Sequence, residues 1–266
     1  MAISNLITNK TKIIELNNNL YHPNLLSKKT RIKKDVCECW NNWYISGNKW
    51  FYFKDFSREK YNSFEFKLIN ELIGEYLANY LNIDVIHYEF AKLDNTLGLA
   101  SESFIQKGSK YCFQKDINIP CNYANMQNIY LLRNRCKNDL NYHKLMNEIF
   151  KLLSIDIYMN QTDRSYSNCQ FRIEKGNLHL APLYDFEESF IEPFKMHYNS
   201  NLVGIEIDEI KKYDKLKEIL VNLFNLDILD VLREIEFKRN ICISKENKEY
   251  YREFVNDRKM LLKSVF

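Results

Sequence analysis

Three residues between Tyr158 and Phe186 have the types and the spacing to do chemistry together. Asp163 and Asn168 stand five positions apart in the segment NQTDRSYSN, and Asp185 closes the segment LHLAPLYD. CQFRIE and LHLAPLYD read as two short strands joined by the turn Lys175-Gly176-Asn177, a hairpin that starts beside Asn168 and ends at Asp185. A hairpin returns its ends to one place, so Asn168 and Asp185 are expected side by side, with Asp163 facing them. Two acids and an amide without histidine form an oxygen-only donor set, which suits hard Mg²⁺. The chemistry such a set fits is phosphoryl transfer. Asp163 would accept a hydroxyl proton as catalytic base, and Asn168 and Asp185 would hold the metal against a nucleotide's phosphates. Asp, Asn and Ser in a loop are also common turn formers and caps, so Asp163 alone would read as structural. The spacing of the three carries the inference, because D-x-x-x-x-N followed by an acid after a short hairpin matches the catalytic loop and metal-binding Asp of protein kinases.

Such a site needs a lysine on the phosphates and an acid to hold that lysine. The N-terminal part supplies candidates. VCECW, NWYIS and KWFYFKDF are short, aromatic and alternating, and read as strands, with Ser46-Gly47-Asn48 as the turn between the last two. Lys54 lies in the third of these, on the same strand face as Trp50 and Tyr52. Residues 64–81 then show apolar positions at helical spacing, and Glu71 and Glu75 both lie on this helix, one turn apart. DVIHYEFAKL and LGLASESFI follow as two strands around the turn Asp94-Asn95-Thr96. Helical patterns occupy 124–136 and 143–158, and from about 205 onward only helices are expected. Strands and one helix followed by helices predict an α+β protein with two lobes. The expected division is 1–106 for a nucleotide-binding lobe and 107–266 for a helical lobe carrying the catalytic loop and metal site.

The bulk composition agrees with a packed enzyme-sized fold. The chain has 266 residues, 45% hydrophobic and 14% aromatic, with only 6 Gly and 4 Pro, enough for a sizeable core and little disorder. Its 38 basic and 35 acidic residues give a formal charge of +3, which makes no case for a global nucleic-acid binder. Seven scattered cysteines, an odd number in a chain of this length, read as reduced thiols. Cys37 and Cys39 lack a second Cys/His pair at finger spacing, so zinc is not expected. No apolar run reaches the roughly 20 residues of a membrane helix. The N-terminus shows no secretory apolar core, so the expected location is the cytoplasm.

At this point the sequence resembles a known family. N-x-T-D-R-x-x-x-N-x-x-F from Asn160 to Phe171, followed by L-A-P-x-Y-D from Leu180 to Asp185, resembles the HipA-like serine/threonine kinases of bacterial toxin–antitoxin systems. It is also similar to the short CtkA-like kinases that lack an extra N-terminal domain. Asp156, in the helix before the loop, fits the same pattern, and Asn70-Glu71 matches the family's N-E pair. The clear match covers about 152–186, with a weaker one over about 44–107. One departure is Ser165, where the family commonly has His.

The resemblance implies a two-lobed kinase fold, ATP and Mg²⁺ as cofactors, a protein substrate of unknown identity, and an antitoxin or other regulatory partner. By the same resemblance, Glu71 is the acid for Lys54, with Glu75 as competitor, and Ser101–Ile105 is the hinge, where the backbone of Glu102 and Phe104 would bind adenine. Ser46, Gly47 and Asn48 would cover the phosphates, and Ser46 would be a self-phosphorylation site. Two further readings stand beside this one: a small-molecule or lipid kinase of the same architecture, and a catalytically silent binding module. A nucleic-acid-binding protein has no basic stripe or helix-turn-helix pattern to support it.

Overall fold

The computed structural model describes residues 6–19, 43–46, 49–55, 63–94, 96–104, 110–113, 132–161, 164, 169–191 and 210–264. Four expected site residues, Gly47, Asn48, Asp163 and Asn168, lie outside the described residues, as do the VCECW strand and most of the 124–136 helix.

Five strands curl into a closed barrel: β1 (Ile13–Asn19), β2 (Trp43–Ser46), β3 (Lys49–Lys54), β4 (Tyr88–Leu93) and β5 (Thr96–Glu102), in the order β1-β2-β3-β5-β4. β1 runs parallel to β4, and the other pairs are antiparallel. The expected alternation in β3 is present. Phe51 and Phe53 point inward to a small core with Leu16, Tyr44, Ala91 and Ala100, which leaves Trp50, Tyr52 and Lys54 on the other face. Gly98 lets β5 approach the end of β3, because a Cβ there would lie 2.2 Å from the carbonyl oxygen of Lys54.

Two features of this part differ from the sequence expectation. β1 was not anticipated, since IIELNNN is apolar only at its start and takes its strand form from pairing with β4. The strand expected from Asp84 begins instead at Tyr88. Asp84–Ile86 is diverted to a different partner, as Leu183 N–H donates to the Asp84 carbonyl (2.8 Å) and Ile86 N–H to the Leu183 carbonyl (3.0 Å).

α1 (Ser63–Tyr80) connects β3 to β4. The remainder is mostly helical: α2 (Asp139–Met159), α3 (Asp214–Phe224), α4 (Ile228–Arg239) and α5 (Lys245–Leu261). A three-stranded sheet is set against α2, with order β6 (Lys110–Phe113), β7 (Gln170–Glu174) and β8 (Asn177–Leu180). The expected hairpin is β7–β8. Its two-residue turn, Lys175 at φ 50° and Gly176 at φ 82°, has the double positive φ of a type I′ turn. β6 is a further strand that four residues of pattern did not announce. One apolar core runs from Leu68, Ile69 and Leu72 of α1 through Leu145 and Ile149 of α2 to Leu216, Leu232 and Phe254 of the last three helices, so α1 packs into the helical part as well as beside the barrel. Among the described residues no helix is long and apolar enough to cross a membrane.

Candidate active site

Three separate pieces of chain converge on one ammonium group. Lys54 ends β3, Glu71 sits in the middle of α1, and Asp185 and Glu187 follow β8. Lys54 Nζ donates to Glu71 Oε1 at 2.5 Å, to Asp185 Oδ1, and to Glu187 Oε2 at 3.0 Å. The side chains of Lys54 and Glu71 are 13% and 0% exposed. Glu75, the competing acid, does not bond Lys54; its partners are Arg239, His87 and the Tyr88 amide.

The charges explain how so many ionised groups coexist in a buried place. Burial pulls the Lys54 ammonium down, but the surrounding Asp185, Glu71, Tyr88 and Glu187 more than offset this and hold it well above the ordinary lysine value. Burial likewise pushes Asp185 up, and the adjacent Lys54 overcomes that and keeps the carboxyl below its ordinary range. Glu71 has no exposed surface, and there burial prevails over Lys54 and raises it.

The loop that carries Asp185 is held on every side. Asp185 adopts a left-handed backbone (φ 67°), a region Asp tolerates better than most residues. Gln161 Nε2 donates to the Asp185 carbonyl (2.6 Å), and Arg164 Nη1 donates to the Tyr184 carbonyl (2.8 Å). Arg164 is itself fixed by a two-point pair with Asp156, Nη2 to Oδ1 at 2.8 Å and Nε to Oδ2 at 3.0 Å, and its guanidinium lies 4.8 Å from the Phe186 ring centre. Phe186 presses on α1 at Gly74, where a Cβ would be 2.3 Å from the ring. Its amide donates to Glu71 Oε2 (2.9 Å). Asn70, fully buried, donates to the carbonyls of Glu187 (3.0 Å) and Ser189 (2.7 Å) and accepts from Tyr251 Oη (2.8 Å).

The remaining expected residues that are described lie as follows. Ser46 ends β2 opposite Lys49. Glu102 ends β5 opposite Phe51 and pairs with Lys49 at 2.6 Å on the surface. The Phe104 ring stacks on Tyr184 with centroids 6.2 Å apart, so the end of β5 lies against the residue preceding Asp185. Four residues around the site carried no sequence-derived role: Arg164, Gln161, Glu187 and Tyr88. Arg164 was visible only as part of the D-R pair. Glu187 stood two residues from Asp185, where the kinase D-F-G pattern has Gly.

Ligand oxygens of Glu71, Asp185 and Glu187 lie within 4.8 Å of one another. An oxygen-only group of this kind has the donor chemistry for a hard divalent cation.

No protein-family model matches the chain, and no curated protein matches its sequence. Solved structures do match. The proinflammatory kinase CtkA of Helicobacter pylori superposes with a TM-score of 0.60 at 13% identity, over 84% of this chain and 91% of that one. HipA of Shewanella oneidensis MR-1, solved in a toxin–antitoxin complex with HipB and operator DNA, superposes with a TM-score of 0.53, also at 13% identity, over 83% of this chain. The chain spans 58% of that HipA's length. The curled strand-rich sheet, the helix α1 and the helical part that follows thus have the kinase-like fold shared by CtkA and HipA.

Proposed function

We propose that the chain is a serine/threonine protein kinase that transfers the terminal phosphoryl group of Mg-ATP to a protein hydroxyl. The observation that carries this reading is Lys54, brought by β3 between Glu71 of α1 and Asp185 of the loop after β8. In a kinase the strand lysine binds the nucleotide phosphates, the helix glutamate orients it, and the aspartate faces the metal.

Each residue then has a definite task. Lys54 supplies a permanent positive charge to the phosphates, since its neighbours keep it protonated. Glu71 holds that ammonium in place and fixes the Phe186 amide with its other oxygen. Asp163 takes the proton of the attacking hydroxyl, and Asn168 and Asp185 hold Mg²⁺. A Mg²⁺ ion held by these residues would supply positive charge against the negative charge that develops on the phosphates. Glu102 and Phe104 contact adenine through their backbone, and Ser46, Gly47 and Asn48 cover the phosphates. In this reading residues 1–106 and 107–266 are the two lobes, Lys54 and Glu71 coming from the first and Asp185 from the second. The likeness to HipA, solved with HipB, supports an antitoxin-like partner.

The test is incubation of the chain with labelled ATP and Mg²⁺, followed by intact-mass and peptide analysis, alone and with protein acceptors. Phosphate on serine or threonine, lost in an Asp163→Ala protein, is the expected result. No transfer to this chain or to any protein acceptor, by a folded protein, overturns the reading.

A further inference from the structure

Glu75 lies one turn beyond Glu71 on α1 and belongs to a second ion cluster. Its carboxylate receives Arg239 Nη2 at 2.6 and 2.7 Å and the Tyr88 amide at 3.2 Å, and it lies 2.6 Å from His87 Nδ1. Arg239 is the last residue of α4, and its Nη1 donates to the Tyr88 carbonyl at 2.8 Å. The two side chains are only 7% and 18% exposed. Beside this pair, Tyr76 Oη donates to Glu234 Oε2 at 2.7 Å, and the Lys238 ammonium lies 5.8 Å from the Tyr76 ring centre. Two consecutive residues of α1 are therefore anchored to the last two turns of α4.

Residues four apart on a helix lie one above the other on the same face. A slide or rotation of α1 that takes Glu75 off Arg239 must therefore also take Glu71 off Lys54 and off the Phe186 amide. We propose that Arg239 is a positioning residue: by holding Glu75 it sets the axial register of α1, and so places Glu71 between Lys54 and Phe186. Its consequence for catalysis rests on the kinase reading above; its consequence for geometry does not.

The experiment compares Arg239→Ala and the paired Arg239→Met/Glu75→Met protein with the wild type. Three quantities are read: melting temperature, hydrogen exchange of a peptide covering 184–190, and KM for ATP. Arg239→Ala takes the guanidinium from a buried carboxylate and lowers the melting temperature, whereas the paired variant removes both charges and recovers most of it. Exchange of the Phe186 amide is expected to rise about tenfold in both variants, a coupling of the size that packed networks transmit. KM for ATP rises in both, with kcat changed less. Wild-type Phe186 exchange in either folded variant overturns the proposal, as does recovery of exchange together with stability in the paired variant, which would leave only a charge-balance role. If wild-type protein transfers no phosphate while Phe186 exchange still depends on Arg239, the kinase reading falls and the register proposal stands.

Discussion

Along α1 two ion clusters sit one turn apart and are built on opposite accounts of charge. At Glu75, one buried carboxylate meets one guanidinium, with His87 alongside. At Glu71, one ammonium meets three carboxylates. A balanced buried pair holds elements together, and the Asp156–Arg164 pair below the site is of the same kind. An unbalanced cluster is costly to assemble unless something positive belongs there. The excess of acid around Lys54, where β3, α1 and the Asp185 loop meet, distinguishes this cluster from the balanced Glu75–Arg239 pair and fits the cation and phosphates of the proposed function.

The comparison can be broken by substitutions that treat the two kinds of cluster differently. The largest expected effects are on turnover. Asp163→Ala should reduce phosphoryl transfer by about 100-fold or more with an unchanged melting temperature. Lys54→Met should reduce it strongly as well, and Glu71→Gln should reduce it more than Glu75→Gln does. Equal effects of the two glutamine variants would erase the distinction drawn between the clusters. Metal dependence sharpens it further: Asp185→Ala and Asn168→Ala should each shift the Mg²⁺ concentration needed for ATP binding upward, Asp185 more, since it carries the full charge. Wild-type Mg²⁺ titration curves for both would make the loop after β8 structural.

The balanced pair should answer in stability. Asp156→Ala strands the buried guanidinium of Arg164 and is expected to cost about 3–5 kcal/mol in denaturant unfolding. A smaller cost is expected for Gly74→Ala, about 1–3 kcal/mol, because the new methyl meets the Phe186 ring. This substitution should also lower activity, since Phe186 adjoins Asp185.

The smallest effect concerns pH. Asp185 is depressed in the folded protein, so its contribution to stability is present above the ordinary carboxylate value and is lost only as pH falls through the lowered one. Lys54 is raised, so its contribution is complete below the ordinary lysine value and disappears as pH climbs through the raised one. Neither of these two groups changes charge in the neutral range, so a change of nucleotide affinity there should trace to Glu71, whose carboxyl burial raises, and should disappear in Glu71→Gln. A step in binding titrations that persists in Glu71→Gln would mean that the Lys54 cluster does not control nucleotide binding.

How much of this was legible in the sequence differs from element to element. β3, α1 and the β7–β8 hairpin were plain, because β3 and the hairpin alternate about a turn residue and α1 keeps apolar residues at helical spacing, although α1 is buried on every side from Leu68 to Glu75. β1 and β6 were not, because short mixed segments become strands only when a neighbour offers its edge. For the Lys54–Glu71 pair, strand alternation and helical period left two alternatives, since Glu71 and Glu75 share a helix face; only the resemblance of Asn70-Glu71 to the family's N-E pair favoured Glu71, the one that meets Lys54.

The sequence by itself determined which residue types stood at chemical spacing: Asp163, Asn168 and Asp185 in order, with Lys54 and an acidic helix ahead of them. It determined too that a strand-rich part with one helix comes before a mostly helical part. Only the tertiary structure decided that Glu187 joins Lys54, that Glu75 turns instead to Arg239, and that Arg164, Gln161 and Asn70 hold the Asp185 loop. The physical reason is range. Periodicity, turns and caps are dictated by neighbours a few residues away. The Lys54 cluster joins residues 17, 131 and 133 positions apart, and that pairing is set by how the barrel, α1 and the helical core pack.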